Sequence, residues 1–183
     1  MDTLPQDPRI VVIGTSSAGK TRFARSLARA LAIPYVELDE LHWGPHWTEK
    51  ANAEFARLVA DAIAGSSWIA DGNYGVVRDT LWPRANVIVW LNYSFATVFW
   101  RGLRRSIERG VWRTELWHGN RESLRRAFFS KESILLWILT TFKRRRLEFA
   151  DLQKSTKYAH LRWIEFRKPS EANRWLLASG GAP

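Results

Sequence analysis

The chain has 183 residues, 46% hydrophobic and 25% charged, which suits one folded domain with a sizeable core and excludes a compositionally disordered or fibrous protein. Without cysteine it has neither disulfides nor a cysteine-ligated metal, in keeping with a cytoplasmic location. The net charge of +10 is uneven: residues 1–98 carry nine Lys/Arg and ten Asp/Glu, residues 99–183 nineteen and eight. A basic half attracts nucleic acid, anionic membrane or phosphorylated small molecules, and charge alone does not choose among them.

The N-terminus lacks a leader pattern, and the apolar stretch Ile134 to Ile138 is too short to span a bilayer, so no membrane partner is expected. The first predicted element is a strand, Ile10 to Ile13, ending at Gly14. Gly14, Thr15, Ser16, Ser17, Ala18, Gly19, Lys20 and Thr21 then fit the phosphate-binding pattern G-x-x-x-x-G-K-[ST]. A helix follows from about Gly19 to Ala32. Strand, glycine loop and helix in that order let backbone N–H groups converge on phosphate oxygens, with Lys20 on the β- and γ-phosphates and Thr21 on Mg²⁺. The expectation is a nucleoside triphosphate site, with ATP and Mg²⁺ as cofactors.

Tyr35 to Leu38 reads as a second strand, followed by a polar and aromatic loop, Asp39 to Trp47. Asp39 is the candidate acceptor-side carboxylate, able to orient a hydroxyl, take its proton or hold Mg²⁺ through water; a plain turn aspartate is the alternative. His42 and Trp43 in that loop are candidate substrate contacts rather than a zinc site, for lack of carboxylate or cysteine partners at metal spacing. Thr48 is expected to cap a helix presenting Phe55, Leu58, Val59 and Ile63, ended by Gly65. Trp68 to Ala70 is a third strand, closed by Asp71, Gly72, Asn73 and Tyr74. Asp71 is expected in the Mg²⁺ shell with Thr21 and beside the substrate; the alternative is a turn cap. Asn73 and Tyr74 face either substrate or solvent.

Val87 to Leu91, apolar throughout, is a fourth strand of the central parallel kind. Ser94 can cap a helix running to about Arg109, on which Arg101, Arg105 and Arg109 recur every four residues and share a face. Arg101 and Arg105 are candidate catalytic residues, Arg101 also a nucleotide contact and Arg109 a substrate contact, because arginine matches the spread charge of a migrating phosphoryl group. With Arg113, Arg121, Arg125 and Arg126 they suggest a mobile lid over about residues 101–130. Lys143 to Arg146, on a helix predicted over Lys131 to Phe149, reads as a solvated face or an electrostatic guide. A last strand, His160 to Phe166, ends at Arg167, a further nucleotide-binding candidate, and Pro169 opens a final helix ended by Gly180. Strands alternating with helices imply a parallel α/β sheet covered on both faces, with ligands at the carboxyl ends of the strands.

Assembled, these residues resemble the adenylate-kinase-like P-loop proteins, and within them a bacterial group known as DNA topology modulation proteins. The resemblance rests on Gly14 to Thr21, on Leu38 to Trp43 with Pro45 and Trp47, and on Trp68 to Tyr74. It continues through Ala85 to Leu91, the arginine helix, and Leu161 to Leu176. It implies a five-stranded parallel core in the order 2-3-1-4-5 with a lid after the fourth strand. Asp71-Gly72 is similar to the turn adenylate kinases carry after their third strand, Arg101 and Arg105 to their lid-hinge arginines. Asp39 with His42 is similar to the acceptor-side pair of gluconate kinases. The second helix lacks the adenylate-kinase monophosphate-binding pattern, so AMP is not the expected acceptor. The leading expectation is an ATP-dependent phosphotransferase acting on a small molecule. Its rivals are a nucleotide-dependent nucleic-acid-binding or regulatory protein and an ATPase without an acceptor.

Overall fold

In the computed structural model, which describes residues 4–112 and 134–182, five strands form one parallel sheet in the order β2-β3-β1-β4-β5. The order is the expected one. β1 (Arg9–Gly14) is central, pairing with β3 (Trp68–Asp71) on one side and β4 (Val87–Leu91) on the other. β2 (Tyr35–Glu37) and β5 (Arg162–Phe166) form the edges. Every residue of β3 and β4 is buried, as continuous apolar strands covered on both faces must be.

Two helical layers supply the cover. On one face α1 (Lys20–Leu31) sets Phe23, Ala24, Leu27 and Ala28 against Ile10, Val12 and Val89. α5 (Phe95–Trp112) adds Val98 to that layer, and α7 (Pro169–Ala178) adds Ala172 and Leu176. On the other face α3 (Asn52–Ala62) and α4 (Arg78–Leu81) place Phe55, Val59 and Leu81 over Val11, Ile13 and Ile88. α6 (Ile134–Lys154) serves both layers, Ile138 entering the first and Phe149 the second. No helix among the described residues is long and apolar enough to cross a membrane.

Several boundaries differ from the sequence expectation. β2 stops at Glu37, and Leu38 opens a short helix, α2 (Leu38–His42). Thr48 does not cap α3. Its hydroxyl donates to Pro45 O at 2.8 Å, Gly44 N donates to Thr48 O at 2.7 Å, and Trp43 bridges Glu49, so a small hairpin delays the helix to Asn52. Residues 75–84, between the third and fourth strands, form two 3₁₀ turns flanking α4. α6 runs past Phe149 to Lys154, and β5 begins at Arg162 rather than His160. Ser94 does cap α5: its Oγ accepts from Thr97 N at 3.4 Å. Residues 101–112 of the expected lid continue α5 as helix, while Arg113, Arg121, Arg125 and Arg126 lie outside the described residues.

Candidate active site

The glycine loop leaves β1 where a side chain cannot be accommodated. A Cβ on Gly14, at φ 154°, would stand 2.8 Å from Leu91 O, and Gly19, at φ 94°, precedes the first turn of α1. Ala18 N donates to Thr15 O at 3.1 Å, closing the loop. The first turn of α1 carries no acidic residue, so its N–H groups and dipole present positive charge to the loop. Thr15 Oγ1 and Ser17 Oγ are buried there without a hydrogen-bond partner. Buried hydroxyls in folded proteins are normally paired, so two such orphans beside a helix N-terminus mark a place for an anion's oxygens.

Lys20 Nζ donates to Thr15 O at 3.4 Å and points into the same space. Burial holds its pKa below the usual lysine value, opposed by the charges of Asp71 and Asp39 and assisted by Arg105. Thr21 Oγ1 donates to Asp71 Oδ2 at 2.8 Å, and Tyr35 Oη donates to Asp71 Oδ1 at 2.6 Å. Asp71 is 3% exposed, and its burial raises its pKa despite both hydrogen bonds. Asp39, in the first turn of α2, accepts from Tyr74 Oη on Oδ1 at 2.7 Å. Ser17, Lys20, Thr21 and Asp39 line one cleft of about 630 Å³, with Arg22 and Arg105 among its other walls. Arg101, one turn before Arg105, donates from Nη1 to Ala18 O at 2.8 Å and lies over the Tyr93 ring at 5.2 Å.

The remaining candidates sit elsewhere. Asn73 Nδ2 donates to Gly14 O and its Oδ1 accepts from Gly14 N at 3.4 Å, so the amide holds the loop's first residue. His42 is buried in an aromatic cluster, its ring centroid 4.6 Å from Tyr74 and 5.0 Å from Phe55, with Nδ1 unpaired. Trp43 packs edge-on against His42 and Trp47. Arg167 Nε donates to Glu165 Oε1 at 2.9 Å on an exposed side chain, away from the residues lining the glycine-loop cleft. Arg109 falls on the α5 backbone, and its side chain is outside the described residues. On α6, Arg145 pairs with Glu148 at 3.1 Å.

Sequence reading missed Tyr35 and the Arg25–Glu37 ion pair. Tyr35 looks like any strand aromatic; its role comes from register, since Glu37 lies opposite Asp71 across β2 and β3. No signal in the sequence marks it.

The sheet order defines the class of fold, α/β of the P-loop kinase-like kind. No protein-family model matches the chain. It is 26% identical over 145 residues to a shikimate kinase of Cereibacter sphaeroides, spanning 68% of both chains. Among solved structures it is similar to a gluconokinase of Sinorhizobium meliloti 1021, with TM-score 0.50, 18% identity, and 94% of this chain and 91% of that one covered. A shikimate kinase of Acinetobacter baumannii in complex with shikimate gives TM-score 0.52 and 18% identity, covering 94% and 90%. At those identities the structural likeness concerns the fold. The relatives support the P-loop kinase-like class and lend none to the narrower DNA topology modulation group.

Proposed function

We propose that this protein is an ATP-dependent kinase of a small hydroxyl-bearing molecule. The observation that carries the reading is the meeting of Ser17, with its orphaned hydroxyl, Lys20, Thr21 and Asp39 in one cleft, with Asp71 hydrogen-bonded to Thr21 behind them. Kinase relatives support it. Thr21 and Asp71 are hard oxygen donors 2.8 Å apart, and no group of three His, Asp or Glu side chains among the described residues could hold a metal alone. That donor set fits Mg²⁺, which takes one or two protein oxygens and completes its shell with phosphate and water. When bound, it would neutralise phosphate charge.

The chain's own residues account for the rest. Asp39 has Oδ1 occupied by Tyr74, leaving Oδ2 to accept the proton of an acceptor hydroxyl. The acceptor oxygen bonds to the γ-phosphorus as the bond to the β-bridging oxygen breaks, and the electron pair leaves on ADP. Lys20 and Arg105 face the migrating group, and Arg101 clamps the loop beneath it. The arginines of the cleft favour an acceptor that is itself anionic.

Calorimetry with ATP and MgCl₂ tests the reading, using wild type and Lys20→Ala. Wild type should bind and Lys20→Ala should bind far more weakly and transfer no phosphate, at an unchanged melting temperature without ligand. Equal binding and turnover in both would refute it. Transfer from γ-labelled ATP to hydroxy acids, sugars and nucleosides then identifies the acceptor class, and label released only to water would favour an ATPase.

A further inference from the structure

Asp71 is a carboxylate buried at the carboxyl end of β3 with two donors on two oxygens: Thr21 from α1 and Tyr35 from β2. The Tyr35 ring is itself fixed. The Arg25 guanidinium lies over it at 5.6 Å and is anchored by Glu37, two residues further along β2. The chain of contacts Glu37, Arg25, Tyr35, Asp71, Thr21 therefore ties β2 and β3 to the first turn of the glycine-loop helix. A carboxylate free to rotate would present its oxygens in many directions. One held on Oδ1 by a phenol has a single rotamer and keeps Oδ2 on the Thr21 hydroxyl, whose lone pairs remain available to a cation.

Resting on the kinase reading above, we infer that Tyr35 is a positioning residue for the divalent cation: its hydroxyl locks the Asp71 carboxylate toward Thr21. It touches neither nucleotide nor acceptor in this role. Because the hydroxyl is the only group removed by Tyr35→Phe, the ring contact with Arg25 and the strand pairing persist. The carboxylate then loses one charge-assisted hydrogen bond of two, which is worth about tenfold or more in an equilibrium.

The test reads the linkage between Mg²⁺ and ATP rather than turnover. ATP affinity is measured by calorimetry in EDTA and across a MgCl₂ titration for wild type, Tyr35→Phe, Asp71→Asn and the double variant. Tyr158→Phe, which removes a hydroxyl bonded to Asp79 at 3.0 Å, neither residue lining the cleft, controls for loss of a tyrosine hydroxyl. In Tyr35→Phe, metal-free ATP affinity should stay within about twofold while the enhancement by Mg²⁺ falls about tenfold. Asp71→Asn should lose the enhancement, and adding Tyr35→Phe to it should change nothing further, as residues acting through one another require. Tyr158→Phe should match wild type. Should Tyr35→Phe not fold, Tyr35→His keeps a ring N–H donor and should retain more of the enhancement than Asp71→Asn does. A wild-type Mg²⁺ enhancement in Tyr35→Phe overturns the inference. So does an equal fall in metal-free and Mg²⁺-bound affinity, or an additive loss in the double variant. Failure of wild type to bind ATP at all would instead sink the kinase reading itself.

Discussion

Replacing Asn73 with alanine should destabilise the protein rather than impair substrate contact, and the reason lies in how β1 ends. Val12 turns its peptide toward β3, where Gly72 N donates to Val12 O at 3.3 Å. Gly14 has the same parity, but β3 has finished at Asp71 and offers no further backbone. The Asn73 amide takes the place of the missing peptide, with Nδ2 on Gly14 O and Oδ1 on Gly14 N at 3.4 Å. Gly14 is buried, so truncation strands one carbonyl and one N–H. Each buried group left unpaired costs about 1–3 kcal/mol, and the long N–H contact belongs at the low end, so about 2–3 kcal/mol is expected in total. In a chain of this size that lowers Tm by roughly 5–10 °C. Urea unfolding should show a lower midpoint at unchanged slope, and ATP affinity should fall with it because Gly14 starts the phosphate loop. A stability within about 0.5 kcal/mol of wild type, with an effect confined to acceptor kinetics, would refute the ladder role and return Asn73 to the substrate.

Two further outcomes are expected. Asp39→Asn should leave Mg–ATP affinity within a few-fold while cutting phosphoryl transfer about 100-fold; an equal loss of nucleotide binding in calorimetry would place Asp39 in the metal shell instead. Glu148 is pushed up by burial, but Arg78 and Arg145 outweigh that and hold its pKa below the ordinary glutamate value. Its ion pairs therefore contribute stability that is complete above the unfolded pKa of about 4.5 and lost as pH falls through the lower folded one. Because the cluster is partly solvated the contribution is about 1 kcal/mol, and Glu148→Gln should flatten the acid limb of stability between pH 5 and about pH 3 by that amount. An identical acid limb in urea titrations would remove the cluster from the account.

What could be read in the sequence was local. Gly14 to Thr21 carries its geometry in its own residue types, and the strand-ending positions at Gly14, Asp71 and Leu91 follow from apolar runs of the right length. The shared face of Arg101 and Arg105 came from helical spacing. What Arg101 holds, the carbonyl of Ala18 eighty-three residues earlier, did not. Thr48 was misjudged because two local patterns compete for it, a helix cap and a turn closed on Pro45. Asn73 and Tyr35 were unreadable for one shared reason: each acts across strand pairings that join residues tens of positions apart.

The buried polar residues show why those pairings matter. Thr15, Glu37, His42, Asp71 and Asn92 lie at or just beyond the carboxyl ends of β1 to β4, while the strand interiors are apolar. Burying a polar group costs free energy unless a partner is supplied. Here partners come from the next strand or helix: Arg25 for Glu37, Tyr35 and Thr21 for Asp71, and Asn92 itself donates to Glu165 Oε1 at 2.7 Å. Thr15 Oγ1 and Ser17 Oγ in the glycine loop are left unpaired, as is His42 Nδ1 within its aromatic cluster. Two hydroxyls left open in the glycine loop that also carries Lys20 can donate to a ligand that brings its own acceptors. A phosphate chain is such a ligand, because its oxygens can take every donor the loop presents.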